Sequence, residues 1–321
     1  MAFMYFCKVF LYNRNAHNIM NINAKAGGHI SCFIAYAIFG FNIIICKNLA
    51  NSSLISPLGL FCIRSVGAAA LFWAVSFFLP REKVEKRDLI KIFIASMLGL
   101  FLTQMCFLKA ITLTTPLDTS IITAITPIFT MFIAAIALKE PITLKKAGGV
   151  SISFIGIILL ILNSVHVGSG ISETKPAGII LMILNCFCFA LYLGIFRPLI
   201  SKYSVVTFMK WMFLFSMIIA IPLDIKELST LQFALMPKDY LWELAYLVLF
   251  STFTAYFLIP VGQKVLRPTV ISLYSYLQPL IATIMSICLG MDKLGWQKIL
   301  AAALVFIGVI LVNKSRAASN S

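Results

Sequence analysis

Arg64 and Lys210 have the most to explain. Each falls inside an apolar run, at 57–79 and 205–223 respectively. A guanidinium or ammonium in so apolar a setting is costly, and such groups usually face a cavity or a partner. Arg64 lies roughly 10 Å along its run at 1.5 Å per residue. It reads either as an attractor for an anionic or carboxylate-bearing ligand, or as a hydrogen-bonding hub that locks helices together. Lys210 either lines a cavity or extends its stem toward the headgroups. Facing inward together, the two form a cationic pair suited to an acidic cargo.

Neutral polar residues supply the other candidates: Gln104, Thr119, Ser120, Thr123, Tyr192, Tyr256, Ser272, Tyr274, Ser275 and Gln278. Ligand pockets combine apolar and aromatic walls with a few polar groups of this kind. Pro127 and Pro279 fall near the middle of their runs. A proline there removes one backbone hydrogen bond and frees the carbonyl four residues earlier, at Thr123 and Ser275. A freed carbonyl in an apolar medium needs a helix, water or a ligand as partner. The two kinks either shape packing alone or curve two helices around a polar cavity.

Other chemistries lack their parts. General acid–base catalysis needs clustered His, Asp or Glu. The 11 acidic residues lie in connections or near run ends, among them Asp118, Glu140, Glu243 and Asp292. His17, His29 and His166 lie away from the centres of the runs. A membrane-embedded enzyme acting on a lipid-linked substrate is therefore the weaker reading, as is coupling through a buried acid. No phosphate-binding Gly-rich motif is present, which excludes a nucleotide-driven pump. Cys186 and Cys188 lack further metal ligands, and the eight cysteines read as packing residues. No cofactor and no metal are expected.

The elements that must position these residues follow from composition. The chain has 321 residues, 61% hydrophobic and 12% charged, about half the charge of a soluble domain. So apolar a chain cannot bury its surface within itself. A net charge of +15 then reads as orienting connection charge and not as a nucleic-acid footprint. Runs long enough to cross roughly 30 Å of hydrocarbon fall at 29–47, 57–79, 90–110, 117–138, 146–163, 176–197, 205–223, 240–264, 270–290 and 296–313. The expected fold class is all-α integral membrane, with ten transmembrane helices. Basic residues concentrate on the connections that share a side with both termini, predicting cytoplasmic ends. Residues 1–28 read as an interfacial segment or as sequence preceding a true start at Met20, and 314–321 as a cytoplasmic tail.

Sliding the chain by 152 positions aligns Phe101–Leu159 with its second half. Pro116 meets Pro268, Ser120 meets Ser272, Pro127 meets Pro279, and Phe154-Ile155-Gly156 meets Phe306-Ile307-Gly308. Residues 29–163 and 176–313 thus read as two five-helix repeats. An odd number of crossings inserts the second copy upside down, the arrangement of alternating access.

The order of motifs also carries a resemblance. Ala110, Thr119-Ser120, Pro127, Glu140-Pro141, Gly148 and Gly156 recur as Tyr276-Leu277-Gln278-Pro279, Asp292 and Gly308, with Arg64 following Ser56-Pro57. Over 29–313 the chain resembles the EamA-type branch of the drug/metabolite transporter superfamily. That resemblance implies a ten-helix fold of two inverted repeats, a central substrate cavity and movement of small metabolites, often outward. Asp292 replaces the usual Glu, and Lys210 is not a general feature of the family. The expected function is secondary transport of a small polar metabolite, amino acid-like or another solute, across an inner membrane by alternating access, with export slightly favoured. Exchange of a phosphorylated or nucleotide-linked anion is the alternative. The expected partners are a small-molecule substrate and the lipid bilayer, with a homodimer left open.

Overall fold

A computed structural model describes residues 19–52, 54–114, 119, 122–164, 175–230, 236–288 and 296–314. Ser120, Asp118 and Asp292, with most of both terminal segments, lie outside the described residues. Among the described residues the fold is helical throughout, with no strand. The helices are α1 (Ile19–Ser52), α2 (Pro57–Phe77), α3 (Lys86–Leu113), α4 (Thr126–Ala137), α5 (Leu144–Ser164), α6 (Pro176–Ile195), α7 (Arg197–Lys202), α8 (Val205–Thr230), α9 (Lys238–Val265), α10 (Pro268–Leu273), α11 (Leu277–Cys288) and α12 (Trp296–Asn313). Among the described residues, six segments are long and apolar enough to cross a membrane: Ala24–Ser52, Pro57–Phe77, Lys86–Leu113, Pro176–Ile195, Val205–Leu223 and Lys238–Val265. Their outward faces are apolar, as at Phe77, Ile136 and Leu144, and Trp242 and Trp296 stand exposed at helix starts. Those exposed rings suit the membrane–water boundary.

Local chemistry sets the helix starts. Ser56 caps α2 by accepting a 2.9 Å bond from the Gly59 N–H, and Pro57 follows where no donor is needed. In α3 and α9 the helix widens into π turns at Met97–Leu102 and Leu247–Thr254. Threonine hydroxyls collect the carbonyls five residues back: Thr103 donates to Leu98 O at 2.6 Å, Thr252 to Leu247 O at 2.7 Å, and Thr254 to Leu249 O at 2.8 Å. A widened turn survives in an apolar setting because its carbonyls find such partners.

The prolines act differently from the expected mid-helix kinks. Pro127 stands in the first turn of α4, after a break at Ala124–Ile125 where the Ile125 N–H bonds Ile122 O at 3.0 Å. Pro279 enters α11 just after a 3₁₀ turn at Tyr274–Tyr276. Ahead of Pro127 the helix gives way to a turn, whereas ahead of Pro279 the backbone stays right-handed and only tightens to the 3₁₀ turn.

Helix pairing has an internal symmetry. Matching α1–α5 in order with α6, α8, α9, α10–α11 and α12 sets each contact beside a partner contact. Packing of α1 on α9 mirrors α6 on α3, and α1 on α11 mirrors α6 on α4; α2 meets α8, and α5 meets α12, as matched pairs. The α5–α12 seam is the tightest. A Cβ added at Gly149 would lie 2.7 Å from Gly308 O, and one at Gly308 would collide with Ser153 Oγ and Gly149 O. Close backbone approach of this kind is how helices pack where lipid offers no hydrophobic drive. Gly308→Val should cost about 1–3 kcal/mol, read as a lower unfolding temperature in detergent; an unchanged temperature would show that the seam can widen without penalty.

Candidate functional site

A cavity of about 60 Å³ lies where α1, α3, α4, α6, α9 and α11 converge with the 3₁₀ turn. Its wall contains three pairs of residues standing 152 positions apart: Gln104 with Tyr256, Thr123 with Ser275, and Thr126 with Gln278. Gln104 Nε2 donates directly to Tyr256 Oη, so the first pair touches. The interrupted backbone at 122–125 and 274–276 and the ends of both π turns surround the same space. Irregular backbone at membrane depth is tolerated where it lines a cavity.

Among the described residues, no Asp, Glu, Lys, Arg or His belongs to this wall. Its polarity comes from amides and hydroxyls set among Tyr36, Phe39, Phe107 and Phe189. Among the described residues, three buried polar atoms of the wall have no hydrogen-bond partner: Gln104 Oε1, Tyr36 Oη and Ser275 Oγ. Each costs about 1–3 kcal/mol when left unmet, so the wall is prepared for water or a polar ligand. The space holds only a few waters. A metabolite needs side chains to move, beginning with the Gln104–Tyr256 contact.

Five of the twelve candidates read from the sequence line this cavity: Gln104, Thr123, Tyr256, Ser275 and Gln278. Others lie apart. Thr119 pairs with Thr114 through their hydroxyls at 2.8 Å, Ser272 donates to Thr269 O at 3.0 Å, and Tyr274 Oη meets His29 Nδ1 at 2.7 Å. Tyr192 is buried, stacked on Phe189, and packs its ring against Gly99. Arg64 and Lys210 do not meet at the cavity. Lys210 donates to Ser76 Oγ at 2.8 Å and lies 5.0 Å from the centre of the Trp73 ring. Arg64 is 1% exposed and bonds Thr252 Oγ1 at 2.8 Å and Ser251 Oγ at 3.2 Å. Sequence reasoning missed Asn42 and Asn185, although an amide inside an apolar run is the same signal that singled out Gln104.

One end of the bundle is closed by charge. Lys202 Nζ reaches Glu85 and Asp88 at 2.7 Å each, and the Tyr203 hydroxyl donates to Asp88 at 2.8 Å. The Ser204 N–H bonds Glu82 at 3.0 Å, and Lys264 donates to Tyr203 O at 2.6 Å. Hydrogen bonds to Asp88 and then Glu85 hold the Lys202 ammonium above the ordinary lysine range. The clamp therefore keeps its charge at physiological pH. Deeper in, Lys146 and Glu140 form a buried pair at 2.5 Å, and the Thr269 hydroxyl donates to Glu140 at 3.3 Å. Lys146→Met strands that carboxylate and should cost about 3–5 kcal/mol, seen as a lowered unfolding temperature in detergent. Adding Glu140→Gln should recover most of the loss; no recovery would place the damage elsewhere.

The comparisons agree with this architecture. Residues 26–162 and 176–314 each match the EamA-like transporter family. The "uncharacterized transporter YetK" of Bacillus subtilis (strain 168) is 24% identical over 284 residues, covering 86% of this chain and 83% of that protein. An "uncharacterized transporter" of Archaeoglobus fulgidus is 27% identical over 153 residues, covering 48% of this chain and 52% of its own length. A solved crystal structure superimposes with a TM-score of 0.68 at 14% identity, over 90% of this chain and 96% of that one. Two matched halves, an all-helical fold and a polar cavity between them place this chain in the EamA-like transporter family, as a membrane transporter.

Proposed function

We propose that the protein is a secondary transporter that moves a small polar metabolite across the inner membrane by alternating access, with export the favoured direction. In this reading the chain crosses the bilayer ten times, as two inverted five-helix repeats with both termini in the cytoplasm. The six long spans are joined by four further crossings at 117–138, 146–163, 270–290 and 296–313. The observation that carries the reading is the cavity wall, built from residues that stand 152 positions apart in the two halves. A site on the axis of a two-fold arrangement looks the same from either side of the membrane. Exchanging the conformations of the halves then exchanges the side from which it is reached.

Gln104, Tyr256, Thr123, Ser275 and Gln278 contact the cargo in this reading, and the Lys202–Asp88–Glu85 clamp closes the cytoplasmic end. The protein is a carrier and not a catalyst, and its partners are the solute and the bilayer. The cavity wall holds no carboxylate among the described residues, which favours facilitated diffusion or exchange over proton coupling. Exchange of a phosphorylated or nucleotide-linked anion is the second reading; Arg64 and Lys210 are engaged away from the cavity, so neither offers such a cargo a direct ion pair.

The test compares solutes retained by proteoliposomes with and without the protein after exposure to a mixed metabolite extract. The expected outcome is selective loading or release of small polar solutes, lost in Gln104→Ala at equal protein abundance. A pH gradient should change the rates by less than about twofold, since no acid in the wall is placed to carry the proton. Identical solute profiles with and without protein would sink the proposal. In the same assay Lys210→Met should leave the solute profile unchanged, because its ammonium is committed to Ser76 and Trp73.

A further inference from the structure

Arg64 is among the largest fully buried side chains, and no carboxylate lies within ion-pairing distance of it among the described residues. Its acceptors are neutral: Thr252 Oγ1 at 2.8 Å, Ser251 Oγ at 3.2 Å and, more weakly, Cys46 Sγ at 3.8 Å. Burying an ion against neutral groups alone is costly, and a pure packing role is served equally well by an apolar side chain. The polarity of its contacts is what an apolar side chain cannot supply.

Each acceptor passes its own proton onward. The Thr252 hydroxyl donates to Leu247 O at 2.7 Å, within the π turn of α9. The Ser251 hydroxyl, turned by the guanidinium behind it, donates to Asn42 Oδ1 at 2.6 Å. The Cys46 thiol also points at Asn42 Oδ1, at 3.4 Å. Two donors therefore fix the Asn42 oxygen on the side away from the cavity, although Asn42 itself lines that cavity. The Asn42 Nδ2–H₂ group makes no hydrogen bond among the described residues and is left as the donor to the cavity. Aligned hydrogen bonds polarise one another in a low-dielectric setting, so the positive charge of Arg64 is felt at that amide.

We propose that Arg64 is a positioning residue for transport: it does not touch the cargo, and through Ser251 it holds Asn42 as a polarised donor for an anionic oxygen of the cargo. The inference rests on the central cavity being the transport site, and it narrows the cargo to solutes carrying a carboxylate or phosphate oxygen. On this account the charge acts at one remove, which explains how a wall without ionised side chains can select an anionic group. The circuit joins α2, α9 and α1, so it also registers any change in their relative positions.

The experiment uses the full chain in proteoliposomes, with a soluble metabolite extract of the expression host as probe and mass spectrometry of the trapped solutes. Wild type, Ser251→Ala, Ser251→Thr, Arg64→Lys and Asn42→Asp are compared at matched amounts of folded protein. Wild type should trap solutes with a carboxylate or phosphate oxygen, and the trapped set tells which of the two the site takes. Ser251→Ala should raise their half-saturating concentration about tenfold, the loss expected for roughly one charge-assisted hydrogen bond, with the maximal rate within about twofold. Ser251→Thr should restore it. Arg64→Lys should fall between wild type and Ser251→Ala, and Asn42→Asp, which offers no donor, should abolish uptake. The proposal is overturned if Ser251→Ala leaves the half-saturating concentration unchanged or lowers only the maximal rate. It is overturned equally if the trapped solutes lack an anionic oxygen; in both cases the transport reading survives. If wild-type vesicles trap nothing, the transport reading falls, and the role given to Arg64 falls with it.

Discussion

A backbone amide in hydrocarbon must find its hydrogen bond within the protein, and that single demand organises the structure. It makes the chain helical and confines departures from helical geometry to places where other groups can answer them. Those departures are the π turns of α3 and α9 and the interruptions ahead of Pro127 and Pro279. They occur at matched positions in the two halves and border one cavity. The polar site and the irregular backbone are thus a single feature. Hydroxyls that repair the widened turns, such as Thr103 and Thr252, belong to the same shell as the residues facing the cavity.

Charge is distributed by the same rule. Lys202 pairs with Asp88 and Glu85 across the halves at one end of the bundle, and Lys91 supplies Asp88 with a second cation. Glu140 and Lys146 are buried but paired. Arg64 alone among these lacks an opposite charge nearby, and its contacts run through hydroxyls to an amide in the cavity. The resulting wall is uncharged yet not electrically neutral in effect.

Much of this could be read in the amino-acid sequence, and for identifiable reasons. Apolar runs report helices directly because the medium leaves no alternative. The 152-residue offset was visible because Pro127 with Pro279 and the Phe-Ile-Gly block rarely recur by chance, and it carried Gln104, Thr123, Tyr256, Ser275 and Gln278 to one place. Orientation about each helix axis was left open. Lys210 turns toward Trp73 and Ser76 because those two groups offer an aromatic face and an acceptor on a neighbouring helix, and nothing local to α8 records that. Asn42 and Asn185 carry the same signal as Gln104, an amide inside an apolar run, but lie outside the stretches that the offset aligns. The effect of the prolines was misjudged for a simpler reason: a helix can stop and restart ahead of a proline, and only the backbone shows which occurred.

Finally, the seam between α5 and α12 has a mechanical meaning. At Gly149 and Gly308 one main chain lies directly on another, with Ser153, Leu311 and Val312 packed closely around the contact. Such a line resists translation, because each small shift brings carbonyl against carbonyl, but it permits rotation about itself. If the two halves swing relative to one another, this is where the pivot belongs, and the displacement grows with distance from it.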